Sequence, residues 1–445
     1  MLPRPDARVM VACPDARPPA YQAVVGLARA RLLHSFLTAY YHGGDGPLAA
    51  IGRRLAPGRF ARLERILRRR HDPEIPRSRV RSAWAYDLAI GIERRLPPDR
   101  SPARRRVARW RTEWFDRRVA QLLGRGRPDA AILFSDVGSG CALPLCRSLG
   151  IAAVVSMVHG DVREENEVLD REAETSPDFF PLYLGDGALD RNELAWLHER
   201  RLRDLELADR VLVPSDHIAG RLALHGTPPE KVRVIPYAAD TRRFRPDPSK
   251  RPGDSCTFLF AGGITQRKGI KYLFEAWRRV RRPGWRLQLL GALPRDLGPL
   301  PGYLDEVEHL GRVSHADVPA RMAAADVFVF PSLFEGSAVV TYEALACGLP
   351  SVVTPNAGSV VRDGVEGFLV PAGDVGHLSE RMERLGNDPA LRAEMSLSAR
   401  RRAEEFDWPR YHAALHDAVR DLVGPRSSSG DGVTGEPGAR KGGEA

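Results

Sequence analysis

The chain has little lysine, little cysteine and no long apolar run, and each shortage narrows what it can be. Of its 67 basic residues 62 are arginine and five are lysine, at positions 231, 250, 268, 271 and 441. Alanine, glycine and proline are abundant beside the arginine. GC-rich coding produces such a bias, so the net charge of +10 does not by itself indicate a polyanionic partner. The five cysteines, Cys13, Cys141, Cys146, Cys256 and Cys347, show no C-x-x-C metal spacing, and four lie in or beside apolar stretches. A reduced, cytoplasmic setting suits them. No apolar stretch reaches the length of a membrane span, and the N-terminus has no signal-peptide layout. No D-x-D pair lies between two apolar strands, so no carboxylate cluster with Mg²⁺-binding spacing is apparent.

With 445 residues and 43% hydrophobic content the chain can build one to three well-cored domains. Its most informative stretch is 325–350, ADVFVFPSLFEGSAVVTYEALACGLP. Residues 326–330 form an apolar run suited to a buried strand of a parallel sheet. Residues 331–337 read as the loop at its carboxyl end, and 338–347 as a helix stopped by Gly348 and Pro350. The next strand, 351–354, follows at once. Such a βαβ unit binds ligands at the carboxyl ends of its strands. A helix beginning near Ser337 and Ala338 aims free N–H groups at the crevice and favours an anion there. Glu343, in the second turn, is placed to accept hydrogen bonds from a diol such as ribose. Glu335, on the loop, is placed to touch whatever lies beyond the phosphates. Either glutamate alone would pass for a solvated charge; the whole string favours the ligand roles.

Elsewhere strand and helix signals alternate. Residues 8–12 read as a strand, 21–40 as an amphipathic helix, and 130–134 and 152–156 as buried strands. The strand at 130–134 ends in SDVGSG, where Asp136 either meets an acceptor hydroxyl or closes its own turn. The strand at 152–156 ends in MVHG, with His159. The acidic stretch 161–190 reads as a long loop facing an acceptor or covering a cleft. Residues 191–221 resume helix and strand, and 247–254 read as a hinge-like linker. The second half opens at Cys256. A strand at 257–261 runs into GGITQRKGI and a helix over 271–280, the general layout for holding phosphate, with Arg267 and Lys268 in the turn. A strand is expected at 286–290 and helix over 374–402, and the polar tail 424–445 reads as disordered. Residues 52–118 carry repeated arginine runs with Trp84, Trp110, Trp114 and Phe115 between them. Solvated helix faces over an aromatic core explain them first, with an anionic membrane surface as a close rival. Nucleic acid is set aside, since no RNP-type aromatic string or zinc spacing accompanies the charge.

From 328 to 374 the chain reads FVFPSLFEGSAVVTYEALACGLPSVVTPNAGSVVRDGVEGFLVPAGD. This string resembles the retaining GT-B glycosyltransferases of family 4, whose Glu-x7-Glu motif would be Glu335 and Glu343. The resemblance is strong over 256–423 and weak over the first half. It implies an α/β GT-B architecture, two Rossmann-like domains with parallel sheets facing a cleft. The acceptor domain would span 1–236 and be completed by a returning helix at 406–423. A linker at 237–255 would lead to the donor domain, 256–405. The resemblance further implies a nucleotide-diphosphate-sugar donor, a hydroxyl acceptor on a glycan, glycolipid or metabolite, retention of configuration, and no metal or other cofactor. Lys268 matches the family's phosphate-binding lysine, and Glu335 and His159 would lie beside the transferred sugar. Glu343, Ser337 and Ala338 would hold the donor, and 308–313, EHLGRV, would meet the base through Arg312 and Val313.

Two departures stand out. Gly263 replaces the family's arginine, leaving Arg267 to reach the same phosphates, and the first turn, CPDARPPAY, lacks the family's paired glycines. They favour a non-catalytic scaffold or membrane-binding protein as the rival expectation. Lys268, His159 and both glutamates argue against it. A GT-B-like epimerase or phosphorylase would share the architecture. In the family the leaving phosphate takes the acceptor's proton, so no general base is assigned. The expected location is cytoplasmic, with the basic region touching the inner face of the membrane.

Overall fold

The computed structural model describes residues 7–15, 18–42, 54, 58, 70–96, 102–184, 191–250 and 253–423. Within them the first half forms a seven-stranded sheet from β1 (Val9–Ala12), β2 (Leu33–Thr38), β3 (Val80–Ser82), β4 (Ala130–Phe134), β5 (Ala152–Ser156), β6 (Arg210–Val213) and β7 (Val232–Val234). The second forms a six-stranded sheet from β8 (Cys256–Ala261), β9 (Trp285–Leu290), β10 (Glu308–Gly311), β11 (Val327–Phe330), β12 (Ser351–Val353) and β13 (Gly367–Leu369). The strands pair in parallel in both. Continuous apolar strands require this. VFVF of β11 is shielded on both faces, and each such side chain contributes about 1.5–3 kcal/mol on burial.

The strand orders are β3-β2-β1-β4-β5-β6-β7 and β10-β9-β8-β11-β12-β13. In each sheet the direction of winding reverses beside the first strand, between β1 and β4 and between β8 and β11. A crevice opens at the carboxyl ends of strands at such a switch point. The loops after β8 and β11 therefore converge, and these loops carry Lys268 and Glu335. Two parallel, helix-covered sheets facing one cleft make the GT-B architecture expected from the resemblance.

The helices that matter for the site are α1 (Pro18–Arg29), α2 (Ala85–Glu93), α3 (Pro102–Gly126), α4 (Val162–Thr175), α5 (Arg191–Leu207), α6 (Ile270–Val280), α7 (Val339–Ala346) and α8 (Trp408–Val423). Although α8 follows the second sheet, it packs on α1, with His412 Nε2 3.1 Å from Gln22 Oε1. In the linker, Lys250 pairs with Asp326 at 3.0 Å. Part of that linker (251–252), part of the basic region and the tail at 424–445 lie outside the described residues.

Three expectations need correction. The helix read over 21–40 is α1 followed by β2. Arg31 turns the chain at φ 59, and the short apolar run after it fits helix or strand equally by periodicity. The loop read over 161–190 is α4 over 162–175, and 185–190 lie outside the described residues. Asp161 caps it by accepting from the Arg163 N–H at 2.9 Å. Its buried residues are Val162, Glu164, Glu165, Val168, Leu169 and Glu172, so three buried glutamates hid the apolar period. The helix read over 374–402 is two, Val375–Asn387 and Pro389–Glu404, broken where Asp388 precedes a proline.

Candidate active site

After β8 the chain runs through Gly262 and Gly263 into a short turn, Gln266–Lys268, and enters α6 through Gly269. Gly269 has φ +73, and a Cβ there would overlap the Pro331 carbonyl. Only glycine lets this turn lie against the loop that follows β11. The Arg267 carbonyl accepts from the Leu333 N–H at 2.9 Å and from Ser332 Oγ at 3.1 Å. Turn and loop are thus joined through their backbones, which brings Lys268 Nζ onto Glu335 Oε1. Glu335 Oε1, 3.2 Å from Ser332 Oγ, is the alternative acceptor for that one hydroxyl hydrogen, and Arg267 Nη1 stands 3.8 Å away. Two cations and one carboxylate leave the cluster with a net positive charge.

Burial pushes the Lys268 ammonium below its usual range, with Glu335 opposing. Burial also works against an ionised Glu335, but Lys268 and then Arg267 outweigh it and hold that carboxyl low. Glu335 in turn raises Arg267.

The first half meets the same loop. A Cβ on Gly336 would come within 2.5 Å of the Val158 carbonyl, and one on Gly160 within 2.9 Å of the Glu335 carbonyl. His159 lies between these glycine contacts. Its Nδ1 is 2.9 Å from the Gly160 carbonyl, which places the proton on Nδ1. Its buried Nε2 has no hydrogen-bond partner among the described residues and stands 3.7 Å from Asp136 Oδ1.

A cavity of about 570 Å³ opens between the halves. Pro18, Pro19, Val158 and Tyr237 line it from the first half. The second half supplies Gly262, Gly263, Lys268, Gly311, Arg312, Val313, Glu335 and residues 337–340. The expected Lys268, Gly263, Arg312, Val313, Glu335, Ser337 and Ala338 are thus brought together. Gly263 contributes backbone alone. Arg267 is outside the wall and acts on Glu335. His159 is not on that wall and lines a small space of its own with Ser135, Arg201 and Asp204.

The helix N-terminus differs in detail from expectation. Ser337 Oγ donates to the Gly358 carbonyl at 2.6 Å, and the Ala338 N–H to the Ala357 carbonyl at 3.0 Å. Both groups are therefore occupied. The first helical residues of α7, Val339 and Val340, supply the leading amides instead, and Ala338 provides no side-chain cap. Glu343 lies one turn on, at i+4 and i+3 from these valines and so on their face. It is half-buried, outside the cavity wall, and no side chain among the described residues hydrogen-bonds to it. Burial pushes its carboxyl up to about 7, against the pull of Arg243.

Asp136 is not brought to the cavity. Arg201 grips its carboxylate with Nε at 2.6 Å and Nη2 at 3.2 Å, and its backbone sits at φ 80. Burial opposes its ionisation, but Arg201 and His159 hold it far below the ordinary range. Its N–H donates to Asp204, whose carboxyl is pushed up to about 8 by burial and by Asp136 itself. Sequence reasoning missed Pro18 and Pro19, which stand where glycines were sought. It also missed Tyr237, Arg201 and the buried glutamates of α4.

Among the described residues no group of three or more His, Cys, Asp or Glu could hold a metal ion, and no helix is long and apolar enough to cross a membrane. Chemically, the cavity offers an ammonium and helix amides to an anion, with the Glu335 carboxylate to receive hydroxyls.

Comparison with known proteins gives matches to both halves. The model described as glycosyltransferase family 4 matches residues 66–243, and that described as glycosyl transferases group 1 matches 255–388. A D-inositol 3-phosphate glycosyltransferase of Saccharomonospora viridis is 32% identical over 243 residues, 48% of this chain and 56% of that protein. A putative colanic acid biosynthesis glycosyltransferase, WcaL, of Salmonella typhimurium is 32% identical over 217 residues, 45% and 53% of the two chains. The chain spans about half the length of these curated relatives. Among solved structures, sucrose-phosphate synthase of Thermosynechococcus elongatus superposes with a TM-score of 0.65 at 19% identity, over 94% of this chain and 99% of that one. Anabaena HepE in complex with UDP and glucose gives 0.59 at 16% identity, over 94% and 100%. At these identities the structural likeness is one of fold.

Proposed function

We propose that this chain, which belongs to the GT-B glycosyltransferases of group 1/family 4, is a retaining enzyme that moves a sugar from a nucleoside-diphosphate donor to a hydroxyl acceptor. The observation that carries this reading is the meeting of Lys268, Glu335 and the start of α7 at one 570 Å³ cavity. A diphosphate fits the ammonium of Lys268 and the amides of Val339 and Val340. A ribose beyond it fits Glu343, and the base fits the backbone of Arg312 and Val313. Glu335 then flanks the sugar.

Breaking the bond between sugar and diphosphate builds negative charge on the leaving group. Lys268 is already in place to receive that charge, and Arg267 keeps Glu335 ionised while it does so. The acceptor's proton passes to the departing phosphate, and no metal is called for. Glu335 accepts hydrogen bonds from sugar hydroxyls and holds the reacting carbon near the acceptor. Screening UDP-, GDP- and ADP-sugars for release of diphosphate, with and without alcohol acceptors, tests the reading. Transfer to a separate acceptor supports it, whereas epimerisation or phosphorolysis alone replaces it.

An anionic membrane surface is proposed as the place where the acceptor is met. Trp84, Leu88 and Ile92 recur every fourth residue at the start and along α2, and are 64%, 54% and 45% exposed. Around them Arg77, Arg79, Arg81, Arg94 and Arg95 are exposed and have no carboxylate partner among the described residues. Asp87 and Glu93 are neutralised by Arg70 and Arg111. Trp84 also follows β3 closely, at the same carboxyl edge from which His159 follows β5. Each unpaired arginine is worth about 1 kcal/mol against an anionic surface. Co-sedimentation with phosphatidylglycerol vesicles, reduced by salt and by Trp84→Glu, is expected. Equal sedimentation with phosphatidylcholine vesicles would contradict the charge-based part.

A further inference from the structure

We infer that Glu172, from the first half of the chain, is a positioning residue for the phosphate-binding turn of the second half. The inference deepens the proposed function and rests on Lys268 being a ligand of the donor diphosphate. Glu172 is the last buried residue of α4 and is 0% exposed. On its own side it has Arg171 Nε at 3.6 Å. Its other partners come from across the cleft. Oε2 accepts from Gln266 Nε2 at 2.5 Å and Oε1 from the Tyr272 hydroxyl at 2.7 Å.

Gln266 is itself 0% exposed and opens the turn that carries Arg267 and Lys268. Its amide oxygen accepts from the Lys271 N–H at 3.2 Å, at the start of α6. A carboxylate can only accept, so it forces Gln266 to present its NH₂ to Glu172 and its oxygen to Lys271. Reversed, the amide would set oxygen against carboxylate and NH₂ against N–H, in a site that water does not reach. One buried charge therefore fixes the direction of Gln266, and Gln266 ties the turn to the helix behind it.

Adhesion alone does not require a buried charge, which carries a desolvation cost. The same two surfaces already meet through Phe179 against Tyr303, with ring centroids 5.7 Å apart. Lys271 Nζ also donates to the Thr175 carbonyl at 2.9 Å, and the Arg267 N–H to the Tyr183 carbonyl at 3.3 Å. What Glu172 adds is orientation, two residues before Lys268.

Calorimetric titration of the full chain with UDP, GDP and ADP and with the matching nucleosides tests this, because the difference between the two affinities reads the diphosphate contact alone. Glu172→Ala is expected to lose ~10-fold of the diphosphate preference, the scale of one charged contact misplaced. Its kcat for diphosphate release should fall by ~10². Nucleoside affinity should hold, and Glu172→Gln, whose amide can turn either its oxygen or its NH₂ to Gln266, should lose part of the preference. Gln266→Ala should match Glu172→Ala, with no further loss in the double variant, and it gives the same reading where Glu172→Ala is not recovered folded. If Glu172→Ala and Gln266→Ala keep the wild-type preference, or lose nucleoside and diphosphate affinity alike, the inference is overturned while the donor site stands. If the wild type prefers none of the three diphosphates to its nucleoside, the donor site falls and the inference with it.

Discussion

Replacing Lys268 by methionine keeps the length and burial of the stem and removes the charge. In the folded chain that charge touches Glu335 and lies 5.3 Å from the Phe330 ring centroid. Stripping a buried carboxylate of its only partner costs about 3–5 kcal/mol. Glu335 keeps Arg267, however, whose Nη1 at 3.8 Å attracts it by about 4 kcal/mol at an effective dielectric near 20, before desolvation. The loss of stability should therefore fall below that range. The catalytic loss is separate. A preorganised cation facing the leaving diphosphate in a water-poor site is worth about 2.7–4 kcal/mol, so kcat should fall by ~10²–10³. Lys268 is also the strongest of the groups that hold the Glu335 carboxyl low. Without it burial raises that carboxyl, and activity that needs Glu335 ionised is lost at a higher pH as the solution is acidified. Steady-state release of nucleoside diphosphate from about pH 4 to 8, with thermal unfolding alongside, measures all three effects. A Lys268→Met enzyme with kcat within about threefold of wild type and an unmoved acid limb refutes the reasoning.

Glu343 predicts a pH dependence with a definite sign. Its carboxyl is pushed from 4.5 to about 7 in the folded chain, so between these values the folded state holds a proton that the unfolded state releases. Stability from this group is full below pH 4.5 and is lost as pH rises toward 7; Glu343→Gln should remove that slope in urea titrations. A ribose diol prefers the ionised form, so uridine or guanosine affinity should climb as pH rises through 7, and the same variant should flatten the climb. Gly269→Ala places a Cβ at φ +73 against the Pro331 carbonyl, and a loss of at least about 1–3 kcal/mol is expected from the strained backbone alone. Chelation with EDTA should leave sugar transfer at its starting rate; loss restored by Mg²⁺ or Mn²⁺ would oblige a metal to be added to the account.

Much of the second half was legible because its signals are local. The apolar run of β11, the glycine and proline after α7 and the glycine turn after β8 each follow from neighbouring residues. The spacing of Glu335 and Glu343 followed with them. Their partners did not. Lys268 and Glu335 are 67 residues apart, and their contact depends on sheet order placing β8 beside β11. The first half was harder still. Two buried glutamates of α4 meet partners from the other half of the chain, Glu164 with Asn356 and Glu172 with Gln266 and Tyr272. No hydropathy period can announce a buried acid whose partner is 94 residues away. Asp136 was singled out for its turn, and the turn is real, but Arg201 on α5 claims the carboxylate.

A crystal structure of the chain with the nucleoside diphosphate that most raises its melting temperature, among UDP, GDP and ADP, tests the central claim most directly. The account predicts the diphosphate within hydrogen-bonding distance of Lys268 Nζ and the Val339 and Val340 amides, with the ribose hydroxyls on Glu343. A nucleotide bound elsewhere, or one that leaves Lys268 and Glu343 untouched, would contradict it.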